Sequence, residues 1–170
     1  MTIRALTPAD AAIYIALRRE MLLDSPWSFS SSPEDDQGLK PEFITARLVE
    51  PGQAIVGAFE DDGRLVGAAG LRRHTSLKMA HRAHIWGVYV TPAARGRGIA
   101  AQVMERTLDI ARSWPGVNSV GLSASVRSEA ARHLYEKLGF VAWGREPAAL
   151  TIDGKAYDEF HMVKFLDSRS

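Results

Sequence analysis

The stretch Val88-Tyr89-Val90-Thr91-Pro92-Ala93-Ala94-Arg95-Gly96-Arg97-Gly98-Ile99-Ala100-Ala101 decides how the chain is read. A short apolar run enters a turn with glycines at 96 and 98, and an apolar helical periodicity starts at Ile99. Strand, glycine-rich turn and helix in that order make an anion cradle. Glycine lets the backbone take left-handed angles and come close to a ligand, and a helix start leaves amide N–H groups without partners. Those amides, with roughly half a positive charge at the helix N-terminus, favour a phosphate or pyrophosphate. Arg95 and Arg97 are expected to add mobile positive charge at the rim.

Reading outward from that turn, residues 83 to 90 form a strand, and the helix after the glycines keeps Ala100, Val103, Met104, Leu108 and Ala111 on one face as far as about residue 113. Before the strand, residues 54 to 60 and 65 to 71 flank Asp61-Asp62-Gly63, a hairpin signal. The N-terminal part reads as a strand over residues 3 to 6, a helix over about 8 to 23 and a second helix over 41 to 49, joined by a loop carrying Trp27 and Phe29. After the glycine turn come a strand over 117 to 125, a helix capped by Ser128 and ended by Gly139, and strands around 140 to 145 and 157 to 165 joined through Asp153-Gly154.

The order is therefore β-α-α-β-β-β-α-β-α-β-β, an α/β chain with a mixed sheet. The strand-helix-strand unit around the glycines places its two strands parallel. Ligands favour the carboxyl ends of such strands, so the chemistry is expected at the ends of residues 83–90 and 117–125.

A length of 170 residues fits a single domain over 1–170, and a formal net charge of +1 gives no field that marks a nucleic-acid or membrane partner. Without cysteine there is no disulfide framework, thiolate metal site or cysteine nucleophile. The histidines at 74, 81, 84, 133 and 161 contain no His-x-x-x-His pair, so no metal is expected. No stretch approaches the roughly 20 apolar residues of a membrane span, and the default location is the cytoplasm. Edge strands leave room for a homodimer that no residue pattern specifies.

Gly96-Arg97-Gly98-Ile99-Ala100-Ala101 also satisfies the dinucleotide fingerprint G-x-G-x-x-A. That reading wants an acid at the end of the next strand to hold ribose hydroxyls, and Ser119-Val120-Gly121-Leu122-Ser123-Ala124-Ser125 has none. A phosphate-loop hydrolase lacks its Gly-Lys-Ser or Gly-Lys-Thr. A bare structural turn with solvated arginines is the remaining alternative.

The chain resembles the GNAT superfamily of N-acetyltransferases over nearly its full length. Arg95-Gly96-Arg97-Gly98-Ile99-Ala100 matches the acetyl-coenzyme A signature Arg/Gln-x-x-Gly-x-Gly/Ala, and Ala131-Arg132-His133-Leu134-Tyr135-Glu136-Lys137-Leu138-Gly139-Phe140 matches Ala-x-x-Leu-Tyr-x-x-x-Gly-Phe. Three residues before that first alanine the family often has Asn, where this chain has Ser128. The resemblance implies acetyl-CoA as cofactor, its pyrophosphate on the amides of Arg95, Gly96, Arg97, Gly98, Ile99, Ala100 and Ala101. It also implies a bulged strand that splays from its parallel neighbour, with the pantetheine arm along the backbone of Val88, Tyr89 and Val90, the thioester between the two strand ends, and Ser128 and Tyr135 as further cofactor contacts. The family match makes Tyr135 the general acid that protonates the leaving thiolate, whereas spacing alone also permits a core tyrosine. Oxyanion donors are expected in the amides near Val88.

The acceptor amine must first lose a proton, because an alkyl ammonium leaves only about one molecule in a thousand nucleophilic at pH 7. Many relatives carry Glu on the strand before the glycines, and here that place is His84. Strand parity predicts His84, Trp86, Val88 and Val90 on one face, making His84 a candidate base as well as a candidate structural histidine. Glu146, Tyr157, Asp158 and His161 are further candidates in the last hairpin. Trp27, Phe29, Trp86 and Tyr157 are expected to wall the acceptor pocket. The reading is an N-acetyltransferase in which a primary amine of a small molecule attacks acetyl-CoA directly, with a protein N-terminus or lysine as the other acceptor. A non-catalytic acyl-CoA-binding module is the alternative of another class.

Overall fold

The computed structural model describes residues 1–166; the last four positions of the expected single domain lie outside the described residues. The sheet has seven strands: β1 (Thr2–Ala5), β2 (Gln53–Phe59), β3 (Leu65–Arg73), β4 (Arg82–Val90), β5 (Ser119–Ser125), β6 (Val141–Ile152) and β7 (Lys155–Phe165). Four α-helices interleave with them: α1 (Ala11–Asp24), α2 (Pro41–Arg47), α3 (Ile99–Ser113) and α4 (Glu129–Lys137). The strands lie in the order β1-β2-β3-β4-β5-β7-β6, so the expected element order and mixed sheet are observed.

Both faces of the central strands are covered, which is why β2 and β3 read as nearly continuous apolar runs. In β2, Ile55 and Phe59 pack with Tyr14, Leu17, Met21 and Ile44 of α1 and α2, while Val56 and Ala58 pack on the opposite face with Val103, Met104 and Leu108 of α3. Tyr135 of α4 joins this second cluster with Leu122 and Ala124 of β5. No helix among the described residues is long and apolar enough to cross a membrane.

Two departures from regular pairing shape the site. Ala68 pairs with Tyr89 and Gly70 with Trp86, so β4 carries one more residue than β3 between these rungs. Gly87 takes the left-handed conformation at φ +61° within the bulge. Alternation is thereby broken: Trp86 and Tyr89 pack toward α1 and α2, whereas Ile85, Val88 and Val90 pack toward α3. The expectation that His84, Trp86, Val88 and Val90 share a face is thus corrected, because one inserted residue inverts every later side chain. The parallel pairing of β4 with β5 runs only from Arg82–Ser119 to His84–Gly121, after which the strands part while β5 stays paired to β7 as far as Ser125–Glu159.

The last hairpin is longer than the sequence suggested. Pro147 argues against a strand there, but a bulge between Glu146 and Leu150 absorbs it, with Ala148 at φ 50° and its N–H donating to Asp158 Oδ1 at 2.9 Å.

Candidate active site

The glycine turn has the form its sequence required. Gly96 and Gly98 sit at φ +77° and +72°, and a Cβ on either would meet nothing within 4 Å, so the turn presents bare backbone. Arg95 N–H donates to Pro92 and Gln102 N–H to Gly98. The amides from Gly96 to Ala101 have no acceptor among the described residues. Six successive free N–H groups at the start of the 15-residue α3 fit a diphosphate. The arginines differ from expectation: Arg95 is paired to Asp24 at 2.5 Å and donates to the Val90 carbonyl at 2.9 Å, and Arg97 is paired to Glu60 at 2.6 Å. Main chain, rather than mobile side-chain charge, makes this cradle.

Where β4 leaves β5, a small cavity of about 60 Å³ opens between Gly87, Val88, Ser123, Ser125, Ser128 and Tyr135. Val88 has no register partner in β3 or in β5, as it lies in the bulge and beyond the end of the parallel pairing. Tyr89 turns away: its ring is buried against α1, and its hydroxyl donates to Glu20 Oε1 at 3.1 Å. The Tyr135 side chain lines this cavity, and its ring meets Phe140 edge-on at 6.1 Å. Burial pushes the Tyr135 phenol well above its ordinary value, so it is protonated at neutral pH. Ser128 occupies the N-cap position of α4, yet its hydroxyl makes no cap bond; it lies 3.0 Å from Ser28 Oγ and ties the loop after α1 to this helix.

A larger cavity of about 440 Å³ lies on the α1–α2 side, and Ser28, Trp86, Gly87 and Ser123 border both spaces. Of the four aromatics expected to wall it, Phe29 and Trp86 do. Trp27 instead lies 4.0 Å beneath the Arg127 guanidinium, and Tyr157 stands on β7 beside Lys155. His84 is in the wall; burial, with the Arg72 charge second, holds its pKa down to about 4. It is therefore neutral at pH 7 and a weak proton acceptor. Asp158 is committed to Arg145 at 2.8 Å and to the hairpin backbone.

Several lining groups were not singled out from the sequence. Arg18, 8% exposed, pairs with Asp36 at 2.5 Å, and Ser31 also donates to that carboxylate. The only sequence signal was an arginine directly behind Leu17 and three residues before Met21 on the buried side of α1. Glu159 lines the cavity from β7, and burial raises its carboxyl above the ordinary value, with the Glu146 charge adding to the shift. Ser123 Oγ lies 3.1 Å from His161 Nδ1, and His161 Nε2 lies 2.7 Å from Glu146 Oε2.

Residues 15–140 match the family model described as the acetyltransferase (GNAT) family. The chain is 34% identical to the N-alpha-acetyltransferase RimI of Mycobacterium tuberculosis over 82% of its own length and 78% of the relative's. Among solved structures it resembles an acetyltransferase-type protein of Salmonella typhimurium with its cofactor acetyl-CoA (TM-score 0.85, 23% identity, 100% and 96% covered). It also resembles the spermidine N-acetyltransferase of Vibrio cholerae in complex with CoA and spermine (TM-score 0.78, 21% identity, 96% and 94% covered).

Proposed function

The chain belongs to the acetyltransferase (GNAT) family and is an acetyl-CoA-dependent N-acetyltransferase, and from that premise we propose that its acceptor is the primary amine of a small molecule. The observation that carries this reading is the junction of two cavities at the β4 bulge. One holds Tyr135 beside Val88 of β4; the other is a space of about 440 Å³ with Phe29 and Trp86 in its wall.

Acetyl-CoA supplies an activated acyl group that an uncharged amine can attack, with a thiol as leaving group. The amides of Gly96 to Ala101 would hold its diphosphate, and the bulged backbone at Val88 would orient the extended arm. Tyr135 Oη keeps a proton at neutral pH, to be given up on the α4 side of the gap. Ser28 and Ser128 close the junction from the loop side. Phe29 and Trp86 would exclude water around the amine.

The similarity to a relative named as an N-alpha-acetyltransferase supports a second reading, in which the acceptor is a protein N-terminus. Release of free thiol from acetyl-CoA, followed across small amines and short peptides, tests both. Turnover with small amines supports the proposal, and turnover confined to peptides replaces it with the second reading.

A further inference from the structure

We propose that Ser123, His161 and Glu146 form the relay that takes the proton from the acceptor amine; the inference rests on the acetyl-transfer reading above. The base expected from sequence, His84, is poorly suited to the task, since its burial opposes a second proton on its ring. The relay starts where the two cavities meet, because Ser123 borders both. Its hydroxyl lies 3.1 Å from His161 Nδ1, and His161 Nε2 lies 2.7 Å from Glu146 Oε2. A carboxylate only accepts, so in the neutral ring the proton sits on Nε2 and points at Glu146, leaving Nδ1 to accept from Ser123.

Three strands hold this line. Ser123 of β5 faces His161 of β7 as a direct sheet pair, and the β6 bulges bring Glu146 over the ring. The outer end opens to solvent: the side chains of His161 and Glu146 are 30% and 54% exposed. The step balances simply. An ammonium N–H proton passes to Ser123 Oγ as the Ser123 proton passes to His161 Nδ1. The nitrogen keeps the electron pair of the broken N–H bond, and the imidazolium is held by the Glu146 carboxylate until it releases the Nε2 proton to water; proton exchange with solvent then returns the ring to its Nε2–H form. Ser123 touches the amine, while His161 and Glu146 act through it as positioning and accepting groups. The charged and titratable groups facing His161 are Glu146 from β6, Glu159 from β7 and His84 from β4, and Arg72 from β3 acts on His84.

Two measurements test this. In the ligand-free protein, ring ¹⁵N shifts should place the neutral His161 proton on Nε2; a proton on Nδ1 overturns the relay. In turnover, S123A and H161Q should each lower kcat/KM for an alkylamine about a hundredfold at pH 7. The variants should regain about tenfold per pH unit toward the amine's own pKa, and an arylamine that arrives unprotonated should lose far less. Equal losses for both amines, or no loss, overturn the relay, as does a loss in E159Q that H161Q does not share. A wild-type protein that releases no thiol with any amine sinks the acetyl-transfer reading and the relay with it, whereas active wild type with unchanged variants sinks the relay alone.

Discussion

The indole of Trp86 lies across Gly70: a Cβ on that glycine would stand 2.1 Å from Cε2 of the ring. The two residues face each other across β3 and β4 at the last rung before the bulge. The bare backbone at 70 is what lets a tryptophan lie flat against the sheet and form a wall of the acceptor cavity. Gly70→Ala should therefore displace Trp86, lower stability by about 2 kcal/mol and raise KM for the acceptor. Adding Trp86→Phe should restore part of the stability. Equilibrium denaturation with acceptor kinetics checks both expectations, and an unaltered KM in Gly70→Ala would remove Trp86 from the acceptor wall.

Tyr135→Phe separates chemistry from folding. The phenol is buried and no charged neighbour acts on it, so removing its oxygen should leave the thermal midpoint unchanged or slightly higher. Turnover should fall at least about tenfold, with CoA affinity kept. Steady-state kinetics beside a thermal melt and a CoA titration decide this, and near-normal turnover removes Tyr135 from the mechanism.

Gly96→Ala tests the cradle. At φ +77° an alanine is strained by about 1 kcal/mol, yet its methyl meets nothing in the protein. The fold should survive while the row of amides shifts, weakening CoA binding about tenfold or more. Calorimetric titration with CoA reads the effect, and unchanged affinity would place the diphosphate elsewhere.

His84 predicts an acid-sensitive fold. Burial lowers its pKa from 6.5 to about 4, so between these values the unfolded chain binds more protons than the folded one, and stability rises with pH. The contribution is complete above pH 6.5 and declines as pH falls toward 4. Between pH 7 and pH 5 the loss is about 2 kcal/mol. His84→Gln should flatten that part of the stability profile; an identical slope in chemical denaturation at the two pH values would show that the ring is solvated.

The sequence carried the element order because each element had a local cause. Glycines at 96 and 98 required left-handed backbone, the apolar stripe from Ile99 required an amphipathic helix, and Asp153-Gly154 took the turn that closes the last hairpin, at φ 49° and 75°. The length of that hairpin is not legible locally, because Pro147 has the character of a strand breaker and only a bulge sustained by the Asp158 carboxylate accommodates it.

Local pattern thus determined the elements and the cofactor turn, whose requirements are written in consecutive residues. The tertiary structure decided the facing of side chains beyond Gly87, since an inserted residue becomes a bulge only when the neighbouring strand fixes the register. It also decided which polar groups meet, Arg18 with Asp36 and Ser123 with His161 and Glu146, because those pairs are separated in the chain and joined only by the packing of helix, loop and strands.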